Sequence, residues 1–567
     1  MIINLNRIPF SKRGSYMVIS ELKPEFDNGK LATGLYLRTV HGSAARSIVA
    51  RLTPLFDGQP DSYTTELDLT SLVIRHGEQK IEICYDDADT LLFRGSENTG
   101  IVIDFLTEQY KNDYIYDIQH RAYTLYMANC YKNNCRYLIW ALRDKISLDQ
   151  EWDDNVARYS RLTVSSPDGF MFALMEVETE WSGRIRKFDF GLCKRNSQED
   201  FLEYLRNVPA YPIEYQEEVY LAAYLEWSSI VREKGFLTSD AMLISKNWLT
   251  DKTGWNLPYN ALALSYKDPK RAWDQFMLIF AQMDETGRFP DSLNDSFIKW
   301  NHVKPPVHGW ILSRMMEHMT LSGNQMIEAY LALKKSTQWW IRYRDFRHEG
   351  LFVYDHARDS GWNNSTVFSK FPPIATPELQ AFLIIQMEVI AQLSEKLGIE
   401  DDAALFRDKA AKLLQDLLAH CFADDLPVPI HSNTHEIVQC GSLQPYLILI
   451  LGERLPESIR KACIEALKSE AFHAPSGFAT EKITSPHYDD ERKWRGPVWG
   501  PSTYILLEGL RACGEEAFAR EIAGKYVGLV KKNGLAETYN AMTGAPIGPY
   551  VYTVTASVFL TILKEFI

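Results

Sequence analysis

A chain of 567 residues with 46% hydrophobic and 24% charged content can bury a large core, and it exceeds the length of one ordinary domain. Its formal charge of -13 is spread without a basic stripe, which argues against nucleic acid or an anionic membrane as a partner and favours a small or neutral ligand. No apolar run is long enough to span a bilayer, the opening "MIINLNRIPFSKRGSYMVI" lacks a leader pattern, and the eight cysteines form no Cys-x-x-Cys pair; the expectation is a soluble, cytoplasmic protein without a disulfide framework, a metal or a cofactor.

Up to about residue 200, short stretches alternate apolar and polar residues: "GLYLRTV", "SLVIRHG", "QKIEICYDD", "TGIVIDFL", "RYLIWALRD", "SRLTVSS" and "FMFALMEVET". This pattern predicts an antiparallel β-sandwich over residues 1–207. After "NVPAYPIEY" apolar residues recur at helical spacing and strand-like runs almost vanish. Helices are predicted near 212–233, 256–266, 269–284, 306–319, 324–344, 376–397, 400–419, 442–452, 456–470, 498–512, 515–531 and 552–565. Thr376-Pro377-Glu378 supplies a helix start, and Gly398 and Gly534 sit where left-handed C-terminal residues are wanted. Twelve helices in consecutive pairs suit an (α/α)6 barrel over residues 208–567, with an irregular helical bundle as the alternative.

The loops between these helices are dense in Trp, Tyr, His, Arg, Asp and Glu: "SKNWLTDKTGWNLPYNALALSYKDPKRAWDQF", "GRFPDSLND", "KPPVHGW", "DSGWNNST", "SPHYDDERKWRGPVWGPS" and "AETYNAMTG". Each joins an aromatic platform to fixed hydrogen-bonding groups, which suits a carbohydrate: sugar C–H faces stack on indole while hydroxyls take polar contacts. Singly, a Trp at a helix start is ordinary packing, Pro305-Pro306 is a helix-start device, and Asp489-Asp490-Glu491 is a solvated turn. Their accumulation on the connections of one helical array points to a ligand.

In chain order, "WNLPYNALALSYKDPKRAWDQF", "GRFPDSLND", "KPPVHGW", "SGWNNST", "TPELQAF", "SGFATE", "WRGPVWGPS", "ETYNAMTG" and "YTVTASVFL" resemble glycoside hydrolase family 63 and its mannosylglycerate-hydrolase-like and trehalase-like relatives, over roughly residues 240–565. The resemblance implies an (α/α)6 barrel, often preceded by a β-sandwich, and inverting hydrolysis of α-glycosides. Such enzymes place a general acid and a general base on opposite sides of the glycosidic bond, roughly 6.5–9.5 Å apart. It implies Glu537 of "ETYNAMTG" as the base and position 363 as the acid site, where the family's Asp is replaced by Asn363. Asn256 stands where a sugar-binding Asp is usual, and Val554 where a Trp is common.

The remaining loop residues complete a sugar-binding set. Trp255, Trp362, Trp494 and Trp499 are the stacking residues, while Lys304 and His308 are expected to hold hydroxyls. Arg495 offers a planar fork to two oxygens, Gly496 lets the backbone approach closely, and Asn256, Asp359 and Tyr539 join them, with Asp291 and Asp359 orienting neighbours or capping loops. An amide cannot donate a proton as a carboxylic acid does. Three readings of Asn363 are therefore open: a deliberate replacement of Asp that traps substrate; a natural enzyme that draws its proton from Asp359, Asp489 or Asp490, or whose leaving group needs little protonation; and a sugar-binding protein without turnover. A lyase or an epimerase is a poorer match, because the ordered motifs do not follow a Tyr or His base with a neutralised uronate. The leading expectation is an inverting glycosidase acting on a short α-glucoside or a glucosylated small molecule.

Overall fold

The computed structural model describes residues 3–24, 31–42, 47–67, 70–105, 113–247, 249–250, 252–345 and 347–567. As far as Val177 the chain builds two antiparallel sheets. The first runs Met17–Leu22, Gly34–Thr39, Ile48–Phe56, Thr99–Phe105, Val156–Ser166, Ile146–Asp153, with Gln59–Pro60 paired to Ile48–Phe56. The second runs Tyr114–His120, Tyr123–Cys130, Cys135–Arg143, Met171–Val177, Thr90–Gly95, Gln79–Tyr85, Ser71–His76, Thr64–Leu67. Each of the seven stretches read as strands from their alternation contributes a strand here, with Leu106, the last residue of "TGIVIDFL", outside the described residues. Alternation also decides which faces meet: Leu35, Leu52 and Ile103 of the first sheet share a core with Ile83, Phe93 and Leu174 of the second.

The second sheet is apolar on its other face too, where Leu92, Leu138 and Trp140 cluster with Phe190 and Cys193 of helix α1 (Phe190–Arg206). This helix was not expected, and it precedes the anticipated boundary at 207/208. Asp189 starts it by accepting a hydrogen bond from Leu192 N at 2.9 Å. The helical part then continues through α2 (Gln216–Ser229), α3 (Leu257–Ser265), α4 (Pro269–Met277), α5 (His308–His318), α6 (Gly323–Tyr343), α7 (Pro377–Lys396), α8 (Glu400–His420), α9 (Glu457–Lys468), α10 (Gly500–Ala512), α11 (Glu516–Asn533) and α12 (Thr553–Phe566). The segment Gln444–Arg454, expected as an α-helix, is a 3₁₀ helix broken at Gly452, where φ is 55°. No helix among the described residues is long and apolar enough to cross a membrane.

Packing follows a circuit: α3 on α5, α5 on α7, α7 on Gln444–Arg454, that segment on α10, α10 on α12, and α12 back on α3. Within this circuit α3 and the Gly500–Leu510 part of α10 are buried throughout, as helices without a solvent face should be. Around the circuit lie α2 on α12, α4 on α3, α6 and α8 on α7, α9 on Gln444–Arg454, and α11 on α10 and α12.

Candidate functional site

The connections that enter α3, α5, α7, α10 and α12 come together around a cavity of about 520 Å³, within the range of small-molecule sites. Ile244, Leu249, Trp255 and Asn256 come from the first; Asp291, Ser292, Lys299, Asn301, His302 and Lys304 from the second; Arg358, Gly361 and Asn363 from the third. Lys493, Trp494, Trp499, Glu537 and Tyr552 complete the wall. Of the thirteen residues expected to form the site, seven are on it: Trp255, Asn256, Lys304, Asn363, Trp494, Trp499 and Glu537.

Indoles form one side. Trp494 lies between Trp499, at 4.0 Å and 10° from parallel, and Trp362, at 4.1 Å and 27°, with Trp255 tilted at 6.2 Å. Trp362 is therefore the hidden end of the column, and it backs Trp494 rather than facing the cavity. Gly361 has φ of 76°, and a side chain there would meet the Trp255 indole at 3.0 Å, so the turn before Asn363 requires glycine.

Glu537 is mostly buried. Burial pushes its carboxyl pKa up, and Lys493, whose Nζ is 3.6 Å from Oε1, pulls against that rise. Lys493 has φ of 26°, a backbone region that non-glycine residues avoid, beside the group it tempers. Gly548 faces the same carboxylate: a Cβ there would lie 2.5 Å from Oε2. Asn256 Nδ2 donates to Tyr552 Oη at 3.3 Å, and Lys304 bridges Asp291 at 2.6 Å while donating to Arg358 O at 2.8 Å.

Asn363 is exposed on the wall, and its neighbour Asn364 fixes the loop. Asn364 Oδ1 accepts from Trp494 N at 3.1 Å, and its carbonyl accepts from Arg495 Nε. Arg495 is thus spent on joining the 363–364 and 494–495 loops and does not line the cavity. Gly496 packs against backbone rather than ligand, since a Cβ there would lie 2.6 Å from Asp489 O. His308 is sealed among Phe276, Phe280 and Phe289 beneath the site, where burial lowers its pKa to about 3. Tyr539 is buried and donates to Gly534 O at 2.5 Å.

Asp359 is buried behind the wall. Its Oδ1 accepts from Val303 N at 3.0 Å, and its Oδ2 lies 3.5 Å from Arg344. Asp489 is exposed and accepts from Glu491 N, and neither it nor Asp490 reaches the cavity. Residues on the wall that sequence reasoning passed over include Lys299, Asn301, His302, Arg358, Lys493 and Tyr552. Lys493 sat inside a motif already singled out, while His302 stood two residues before "KPPVHGW" with nothing periodic to mark it. Among the described residues no group of three His, Cys, Asp or Glu side chains is arranged to hold a metal ion.

Residues 252–555 match the family model described as "Mannosylglycerate hydrolase MGH1-like glycoside hydrolase domain". Over 184 residues the chain is 26% identical to a mannosylglycerate hydrolase of Rubrobacter radiotolerans, covering 31% of this chain and 40% of that protein. Over 77 residues it is 32% identical to one of Thermus thermophilus, covering 14% and 19%. The matches thus span less than half of these relatives. The crystal structure of a GH63 mannosylglycerate hydrolase from Thermus thermophilus in complex with glucose is similar at a TM-score of 0.52 and 17% identity, over 60% of this chain and 98% of that one. A bacterial glucoamylase complexed with acarbose is similar at a TM-score of 0.64 and 10% identity, over 99% and 93%. The glucoamylase likeness extends over the sheets as well as the helices, and at these identities both speak to the fold.

Proposed function

Because the chain belongs to the mannosylglycerate hydrolase MGH1-like glycoside hydrolase family, we propose that it is an inverting glycosidase of small α-glycosides, with Glu537 as its general base and position 363 at the family's acid site. On this reading the helical circuit is an (α/α)6 barrel behind a β-sandwich, and the cavity is its mouth. One observation carries the proposal: Glu537, Asn363 and the indoles of Trp255, Trp494 and Trp499 line a single cavity.

The sugar stacks on the indoles, and a water held by Glu537 attacks the anomeric carbon as the carboxylate takes its proton. A raised pKa makes Glu537 a better proton acceptor, while Lys493 keeps enough of it ionised to act. Asn363 can donate an N–H hydrogen bond to the leaving group but no proton. Lys299, Lys304, Arg358 and Lys493 outnumber Asp291 and Glu537 on the wall, which suits an aglycone bearing a carboxylate, such as that of mannosylglycerate, the compound for which the relatives are named.

The test is hydrolysis of a panel of α-glucosides and α-mannosides, mannosylglycerate included, by the parent and by Glu537→Gln. Turnover that the variant loses supports the reading. The second reading, a sugar-binding protein without turnover, is favoured by Asn363 itself, and calorimetric binding with no product across the panel would establish it.

A further inference from the structure

Resting on the glycosidase reading, we propose that His302 supplies the proton that Asn363 cannot, as the general acid of this chain. His302 lines the cavity together with Glu537 and Asn363. Its Nδ1 is buried 3.7 Å from Asp359 Oδ1 without a hydrogen-bond partner, and its ring stacks on His356 at 4.3 Å. Asp359 in turn is held by Val303 N and Arg344, and its own N–H donates to His356 O at 3.0 Å. The turn Ala357–Ser360 thus places the Asp359 carboxylate beside the imidazole and leads directly into Asn363. Asp359 is a positioning residue: its charge faces Nδ1 and favours the imidazolium, leaving the Nε2–H for the ligand side.

The other acids on the wall are committed, since Asp291 is paired with Lys304 at 2.6 Å and Glu537 is the base. Imidazole is the side-chain type whose ordinary titration lies nearest neutrality, so it can both hold a proton and release it. Burial and His356 lower its proton affinity, Asp359 and Asp291 raise it, and Lys304 lowers it; the net fall below 6.5 makes it a stronger acid than a free imidazolium. In the step, the C–O bond to the leaving group breaks and its electron pair stays on oxygen, which takes the proton from Nε2. The water oxygen bonds to the anomeric carbon and its proton passes to Glu537. A proton then returns from the Glu537 carboxyl to His302 through solvent, and one water is consumed overall.

The experiment compares His302→Gln with the parent on two substrates of the same sugar, an alkyl α-glycoside and the α-glycosyl fluoride, whose departure needs little protonation. The expected result is a loss of about 10²-fold or more in kcat on the alkyl glycoside and less than about 5-fold on the fluoride, the size of one positioned proton donor. Retained fluoride turnover also certifies the fold. Asp489→Asn, on an exposed turn away from the cavity, is expected to match the parent on both. The parent alone gives a second readout: kcat on the alkyl glycoside falls as pH rises through the imidazole range at or below 6.5, and kcat on the fluoride does not. Equal losses on both substrates in a variant that melts like the parent, or no such falling limb in the parent, overturns the proposal. A parent that binds sugar and hydrolyses neither substrate overturns the glycosidase reading as well, whereas fluoride turnover without alkyl turnover leaves that reading standing and removes His302 alone.

Discussion

Lys493 Nζ stands 3.6 Å from Glu537 Oε1, the positive charge nearest the proposed base, and it opposes the rise in pKa that burial imposes. A base works ionised, so activity rises with pH through its pKa. Replacing Lys493 by Met removes the opposing charge, and the acid limb of the kcat/KM profile is expected to move to higher pH. A limb that stays in place, or moves down, would separate the two groups functionally.

Glu537→Gln keeps the shape of the side chain and abolishes its basicity. Turnover is expected to fall about 10²- to 10⁴-fold with sugar affinity nearly unchanged. Kinetics combined with calorimetric binding checks both halves of the statement.

Attack from the face opposite the leaving group inverts the anomeric centre, so an α-glycoside is expected to release the β-anomer first. Proton NMR within the first minutes reads this before mutarotation. The α-anomer appearing first would contradict water activation by Glu537 on that face.

Asn363 and His302 share one wall, which makes their roles separable by a double variant. In the parent, Asn363→Asp is expected to change alkyl glycoside turnover by less than about 10-fold, because a proton donor is already present. In the His302→Gln background the same change is expected to restore about 10-fold or more, provided the new carboxyl is protonated near neutral pH as a general acid requires. Equal effects in both backgrounds would mean that the two positions do not substitute for one another.

His41 ties the sheets to the loop that supplies His302. Its Nδ1 lies 2.6 Å from Asp295 and its Nε2 3.0 Å from Glu176, with Tyr16 stacked on the ring at 4.0 Å and Lys234 Nζ 3.3 Å from Nε2. Burial alone would lower its pKa, but Glu176 and Asp295 raise it to about 9. A raised histidine stabilises the fold fully below its ordinary value of 6.5 and loses that contribution as pH climbs through about 9. His41→Gln is therefore expected to cost about 3 kcal/mol near pH 6.5, the scale of breaking a buried ion pair, and less at pH 10. Urea unfolding of both proteins at the two pH values measures the gap.

What the sequence made legible was local chemistry. Thr376-Pro377 begins α7 as read, and Gly398 and Gly534, at φ of 72° and 79°, follow the helices they were expected to end. Thr376 nevertheless leaves the backbone uncapped, its hydroxyl donating to Glu378 Oε1 at 2.7 Å. Helix α1 was missed because its buried positions, chiefly Phe190, Cys193, Phe201 and Tyr204, are thinly spread in a polar segment, and the sheet face that receives them is apolar for reasons a linear reading does not see. Within the site, motif loops identified the indoles, but only the stacking order across loops distant in sequence decides that Trp499 faces the cavity and Trp362 does not. His308 and His302 show the same limit. One sits at the start of a helix in a conspicuous motif and is walled in by three phenylalanines; the other is inconspicuous and lies on the cavity, 3.7 Å from an Asp359 carboxylate brought in by another connection.

The column of Trp362, Trp494 and Trp499 has an optical consequence. Indoles 4.0 Å apart and 10° from parallel couple their electronic transitions, so the near-ultraviolet circular dichroism of this protein should carry an exciton couplet originating at the cavity wall. A ligand docking against Trp499, the end of the column that lines the cavity, perturbs that couplet whether or not it is turned over. The molecule therefore contains its own spectroscopic probe of occupancy, readable without a label in the very variants whose chemistry has been switched off.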